Sequence, residues 1–224
     1  MTNFIVMGDS WGCGEWGLNS QGQYRVLHTG INQYLQEKGY LIHTLAKGSA
    51  SNQSQVDLLQ SQSTHATIIW FLTDPLRDIN ACTIATTLQS YQDQRNTLLR
   101  AQFARTRSWH ILILGGVCSV PEWVSAEFPH IHTLCPNLQS WLIPGSQSID
   151  IMNRLWPYSE CEPDLLEYFE QQELALQRHI MRATLGRRTP EHKWFWPDGQ
   201  HLNRHAHLKI TQELVLSACG LPQN

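Results

Sequence analysis

The sequence is marked first by what it lacks. None of its 224 residues belongs to a stretch approaching the roughly 18 consecutive apolar residues that a membrane-spanning helix needs, so no membrane span is expected. The opening residues MTNFIVMGDS carry no basic charge and only a four-residue apolar run, a pattern that fits neither a signal peptide nor an anchor. Charge of one sign is missing as well. With 16 basic and 19 acidic side chains the net charge is −3, which excludes the electrostatic footprint expected of a nucleic-acid or anionic-membrane binder. There is no C-x-x-C pair. Cys13, Cys82, Cys118, Cys135, Cys161 and Cys219 stand far apart, as reduced, buried thiols rather than a disulfide framework or structural zinc site. These absences point to a cytoplasmic protein acting on a small molecule, with virion association or non-classical export left open.

The residues present describe one α/β domain over 1–224. With 42% apolar residues the chain can bury a core. Strand-length apolar runs recur at Phe4–Met7, Tyr40–Leu45, Thr67–Leu72 and Ile111–Leu114. Between them lie helical stripes, one through Leu27, Ile31, Tyr34 and Leu35, another through Leu88, Tyr91, Leu98, Leu99 and Phe103. The alternation predicts a parallel sheet covered by helices on both faces, a three-layer αβα sandwich. Prolines at 121, 129, 136, 144 and 157 predict an irregular, insertion-like segment over about 116–160, with a short strand near His130–Leu134. Helices are expected again from Pro163 toward Gly186 and from Asn203 toward Gly220.

The segment GDSWGCGEWG, residues 8–17, fits several functional patterns. As G-x-S-x-G it would be a nucleophile elbow, but that turn follows several strands and only seven residues precede Gly8. As G-x-G-x-x-G it would be a dinucleotide fingerprint. That pattern needs its first glycine directly after the strand and an acidic residue closing the second strand, where this chain has Ala46-Lys47. What remains is a serine at the carboxyl end of the first strand, where open α/β sheets place their ligand crevice. A serine hydroxyl is a weak nucleophile until a base accepts its proton. The segment WPDGQHLNRHAH supplies one, with Asp198 three residues before His201, a spacing at which the carboxylate can orient the imidazole.

Gly8-Asp9-Ser10 after FIVM, Gly48 in AKGSASN, Thr73-Asp74 after IIWFL, and Asp198-x-x-His201 in PDGQHLN resemble, in order, the four blocks of the GDSL/SGNH hydrolase superfamily. The resemblance implies a flavodoxin-like sheet and metal-free, cofactor-free hydrolysis of small acyl esters. It implies Ser10 as nucleophile, His201 and Asp198 as its base and orienter, and the N–H groups of Ser10 and Gly48 as oxyanion donors. The third block departs from the family, which has asparagine where this chain has Thr73. The third donor then falls to the shorter threonine hydroxyl, or to a neighbour such as Arg77 or Asn80.

Around this core the sequence offers Trp11, Asn52, Asp74, Arg77 and Trp196 as candidate cleft-lining residues, with Trp16 and Trp194 also flanking the key segments. Each has another reading: the indoles as core, Asn52 as an N-cap of the second helix, and Arg77 in an ion pair with Asp74 or Asp78. His192, His201, His205 and His207 crowd the C-terminal third. Positions 205 and 207 diverge on a helix, so no metal site is expected and His207 is read as structural. Hydrolysis is the leading function. Acyl transfer would use the same acyl-enzyme, while a non-catalytic binding module and a nucleotide-binding protein are the alternatives from other classes.

Overall fold

The computed structural model describes residues 3–21, 23–62, 65–73, 88–116, 119–142, 194 and 201–221. Five parallel strands form the central sheet: β1 (Asn3–Gly8), β4 (Leu41–Thr44), β5 (Thr67–Leu72), β6 (His110–Gly115) and β7 (Ile131–Cys135), in the order β4-β1-β5-β6-β7. Among these five the spatial order is 2-1-3-4-5, the flavodoxin-like order. Chain direction away from β1 therefore reverses between β1 and β5, whose registers pair Met7 with Trp70 and Gly8 with Phe71. The carboxyl ends of these two strands open the crevice where such sheets bind ligands.

β1, β5 and β6 are apolar beyond their first residue because both faces are covered, whereas the edge strand β4 is largely exposed. Phe4, Val6, Ile69, Phe71 and Leu114 pack on one side with Ile31 and Leu35 of α2 (Ile31–Glu37). The same layer contains Leu138 and Leu142 of α6 (Leu138–Leu142), and Ala206 of α7 (Arg204–Lys209), which continues as a π-helical stretch, Ile210–Leu216. Ile5, Met7, Ile68, Trp70, Leu72, Ile111 and Ile113 face the other side. There they meet Val56 and Leu59 of α3 (Asn52–Gln60), Leu99 and Phe103 of α4 (Leu88–Ala104), and Val124 of α5 (Val124–Glu127). The period of two sends successive side chains to opposite helical layers, giving the expected three-layer sandwich. Among the described residues no helix is long and apolar enough to cross a membrane.

Two local expectations change. Leu27 belongs to no helix: it lies on β3 (Tyr24–His28), antiparallel to β2 (Glu15–Leu18), and is 42% exposed. Gly30, at φ +56, turns the chain out of the hairpin before α2 begins, so the apparent stripe from Leu27 to Leu35 spans two elements. The segment after Gly116 is also more regular than its prolines suggest. Over 119–142 they sit at boundaries, with α5 between Pro121 and Pro129, β7 between Pro129 and Pro136, and α6 after Pro136. Residues 143–160 and the helix expected from Pro163 lie outside the described residues.

His207 is read from sequence as structural, and the fold supplies the reason. Its ring is buried against Gly30, where a Cβ would come within 2.6 Å of Cγ, and lies 6.3 Å from the Phe71 ring. Both ring nitrogens lack a well-formed hydrogen bond, and burial pushes the pKa down to about 4, the Gly14 backbone partly opposing and His28 adding slightly. The folded protein thus keeps His207 neutral while the unfolded chain protonates it near pH 6.5. Stability is complete above that pH and falls as pH drops toward 4, by on the order of 3 kcal/mol. His28, His110 and His130, also lowered chiefly by desolvation, act in the same direction from more open positions. Urea midpoints at pH 7.5 and 4.5 should differ markedly less in His207→Leu than in the wild type. An unchanged difference would remove His207 as the acid-sensitive group.

Candidate active site

Ser10 occupies the first position of α1 (Ser10–Cys13), directly beyond β1. Asp9 caps this one-turn helix: its Oδ1 accepts the Trp11 N–H at 3.0 Å, and its Oδ2 accepts the Thr73 hydroxyl at 2.8 Å. One buried carboxylate therefore ties the end of β1 to the end of β5 across the crevice. Asn52 fastens the same point from below. Its Nδ2 donates to the Thr73 carbonyl at 2.7 Å and its Oδ1 accepts the Thr73 N–H at 3.1 Å. One turn along α3, Gln55 Oε1 accepts the Gly8 N–H at 3.0 Å. The loops after β1, β4 and β5 are thus joined by four buried polar side chains, which fixes where Ser10 stands before any ligand arrives.

Trp16, on β2, assembles the rest. Its indole N–H donates to the Ser10 carbonyl at 2.9 Å, and its ring centroid lies 5.7 Å from that of His201. A Cβ on Gly48 would stand 3.2 Å from Trp16 Cζ2 and Cη2, so the missing side chain is what lets the indole approach. Ser10, Gly48 and His201, far apart in sequence, thereby meet around one ring. His201 is held from its C-terminal side. Leu202 is buried in the core, Asn203 caps α7 by accepting the Ala206 N–H at 3.1 Å, and Arg204 pairs with Glu15 of β2. That pair is close, at 2.8 Å, but its angle does not make a well-formed hydrogen bond to Glu15 Oε2.

The Gly48 loop carries strain. The Ala50 N–H donates to the Lys47 carbonyl at 3.0 Å, closing a turn in which Ser49 takes φ +61. That conformation costs a non-glycine residue roughly 1–2 kcal/mol, partly offset by the chain entropy that glycine loses on folding. Ser49→Gly should therefore raise the melting temperature by about 2–4 °C, a gain of about 1 kcal/mol. A lower melting temperature would mean that the serine side chain supports the turn.

Cys13 is the competing nucleophile by position. Burial pushes its thiol up to about 11, the Asp9 carboxylate adds to the rise and the Gly48 N–H opposes it. At neutral pH it is a protonated thiol, and the half-buried Ser10 hydroxyl is the better placed group.

Several sequence expectations are corrected here. The Thr73 hydroxyl has a single proton, which goes to Asp9, and its backbone N–H goes to Asn52, so this buried residue presents no donor to an oxyanion. Asn52 is not the N-cap. Ser51 is, accepting the Ser54 N–H at 3.2 Å, and the buried Asn52 amide is engaged by Thr73 rather than lining a cleft. Trp11 is likewise a core residue, 2% exposed, and not a cleft wall. Trp194 packs against the core, with Lys209 Nζ 5.8 Å from its ring centroid. Asp198, Asp74, Arg77, Asn80, Trp196 and His192 lie outside the described residues. Sequence reasoning did not single out Asp9 or Gln55 for a role of its own. The available signal for Gln55 was two polar residues, 52 and 55, within the buried stripe 52-55-56-59 of α3.

No family model matches the sequence, and no curated protein is significantly similar to it. Among solved structures, the fold is similar to Axe2, an acetylxylan esterase from Geobacillus stearothermophilus. The identity is 12%, covering 99% of this chain and 95% of that one, with a TM-score of 0.46. It is also similar to a putative GDSL-like lipase from Parabacteroides merdae, with 13% identity over 99% of this chain and 96% of that one and a TM-score of 0.43. A third likeness is to TesA, with 18% identity over 76% of this chain and 97% of that one and a TM-score of 0.41.

Proposed function

We propose that the chain is a serine ester hydrolase. The observation that carries this reading is the meeting of Ser10, Gly48 and His201 around Trp16 at the crevice between β1 and β5. Ser10 Oγ attacks the ester carbonyl carbon while its proton passes to His201, which Asp198, three residues earlier in sequence, orients. The carbonyl oxygen becomes an oxyanion received by the N–H groups of Ser10 and Gly48. Collapse of the intermediate breaks the bond to the alcohol, which leaves with the proton from His201. Water then attacks the acyl-serine by the same route and releases the acid. An alcohol in place of that water would make the enzyme an acyltransferase with no change in these residues.

The commitment of the Thr73 hydroxyl to Asp9 favours one other reading, a sandwich that binds a ligand with little turnover. Fluorophosphonate labelling followed by intact-mass measurement separates the two. Labelling of the wild type, absent from Ser10→Ala and His201→Ala, is the result expected of a hydrolase. Folded wild type that takes no label would overturn the hydrolase reading in favour of the binding module.

A further inference from the structure

Trp16 reaches Ser10 and His201 at once, through different parts of one indole. We propose that Trp16 is a positioning residue for the reaction, setting nucleophile, base and oxyanion donor relative to one another, and that Glu15 beside it completes the hold on the His201 segment. The inference rests on the hydrolase reading and deepens it.

The local fold aims these two side chains. Glu15 and Trp16 are neighbours on β2, and strict strand alternation would send them to opposite faces. The register of β2 on β3 shifts between them: Glu15 stands opposite His28 and Trp16 opposite Val26, with Leu27 as the extra residue. A bulge of this kind bends the ribbon and re-aims a side chain. Both residues accordingly reach the segment that carries the base, Trp16 through the His201 ring and Glu15 through Arg204 at 2.8 Å. The Tyr34 hydroxyl adds a long hydrogen bond to the Arg204 carbonyl, at 3.4 Å, from α2. The indole then spans the site. Its N–H donates at 2.9 Å to the Ser10 carbonyl, part of the peptide unit that joins Ser10 to Trp11, and so limits how far the nucleophile's backbone can turn. Its ring lies 5.7 Å from the imidazole centroid, inside the range at which aromatic rings attract, and its far edge rests on Gly48, where no side chain intervenes. Binding an ester needs none of these groups to be aligned with the others. Attack needs all three aligned at once, so a residue that fixes their relative positions acts on kcat rather than on KM.

Three variants test this, read as kcat and KM for p-nitrophenyl acetate and as the rate and end point of fluorophosphonate labelling. Trp16→Leu removes the ring and the N–H, Trp16→Phe restores a flat ring without the N–H, and Glu15→Gln removes the charge facing Arg204. The labelling end point counts competent sites, so a merely structural loss lowers the end point and leaves the rate per site unchanged. The expected result is a fall in kcat per competent site of roughly ten- to a hundredfold in Trp16→Leu, with the labelling rate falling in parallel and KM within about twofold of wild type. Trp16→Phe should recover at least about threefold of that loss, and Glu15→Gln should lose about threefold in kcat alone. A kcat per site within twofold of wild type in folded Trp16→Leu would overturn the positioning role. So would a loss carried by KM, which marks Trp16 as a wall of the substrate site, or a Trp16→Phe no faster than Trp16→Leu. Where Trp16→Leu does not fold, an unchanged kcat in both Trp16→Phe and Glu15→Gln would overturn it. In each of these cases wild type that labels at Ser10 leaves the hydrolase standing. Wild type that neither labels nor hydrolyses would overturn both.

Discussion

Ester turnover should fall by on the order of 10^4 to 10^6-fold in Ser10→Ala, by a similar factor in His201→Ala, and no further in the double variant. The reason is mechanistic coupling. A serine without its base and a base without its serine lose the same step, so the second deletion has little left to remove. The residual rate reflects the backbone donors at Ser10 and Gly48 together with substrate binding, which neither substitution touches. Both side chains are only partly buried, and the four-residue polar network that positions Ser10 uses neither its hydroxyl nor the imidazole. Melting temperatures should therefore stay within a few degrees of wild type. Steady-state hydrolysis of short-chain p-nitrophenyl esters, measured for all four proteins, checks this. Additive losses, with the double variant slower than either single one by the product of their factors, would show that the two residues act independently and that no dyad exists.

Asn52→Leu should destabilise the fold by about 2–6 kcal/mol, a large part of the 5–15 kcal/mol typical of a whole domain. Leucine has the same number of side-chain heavy atoms as asparagine but bulkier, tetrahedral methyl groups, so at this fully buried position crowding adds to the loss of hydrogen bonds. The Thr73 N–H and carbonyl, both now satisfied by the one amide at 3.1 and 2.7 Å, would be left buried and unpaired at about 1–3 kcal/mol each. The damage should spread toward Ser10, because Thr73 in turn donates to Asp9 at the cap of α1. Asn52→Asp makes the comparison sharper. It keeps an acceptor for the Thr73 N–H but sets a carboxylate against the Thr73 carbonyl, so it should also destabilise strongly despite its similar shape. Urea unfolding of both variants measures the effect. A loss under about 1 kcal/mol in Asn52→Leu would mean that water or a neighbouring group takes over the Thr73 backbone.

The sheet was legible from the chain because parallel strands buried on both faces are continuous apolar runs, as at Phe4–Met7 and Thr67–Leu72. β2 and β3 were not. The hairpin is short, flanked by glycines and partly exposed, and its best apolar residue, Leu27, falls in helical step with α2. At SASN, the adjacent Ser51 and Asn52 are both good caps, and spacing alone cannot choose between them. Burial chooses: the cap lies at the helix mouth, and the next residue turns inward toward Thr73.

Residue identity by itself determined the strand and helix alternation, the position of Ser10 at the end of the first strand, the lack of a basic surface, and a histidine three residues after an aspartate. These are local properties, set by periodicity, charge and neighbour spacing. The tertiary structure decided which groups remain available for chemistry. It committed Thr73 to Asp9 and Asn52 to the Thr73 backbone, brought Trp16 between Ser10, Gly48 and His201, and spent the Gln55 carbonyl oxygen on the Gly8 N–H. A side chain's capacity to donate or accept is written in its type, but the partner that consumes that capacity comes from a distant part of the chain, and only packing brings the two together.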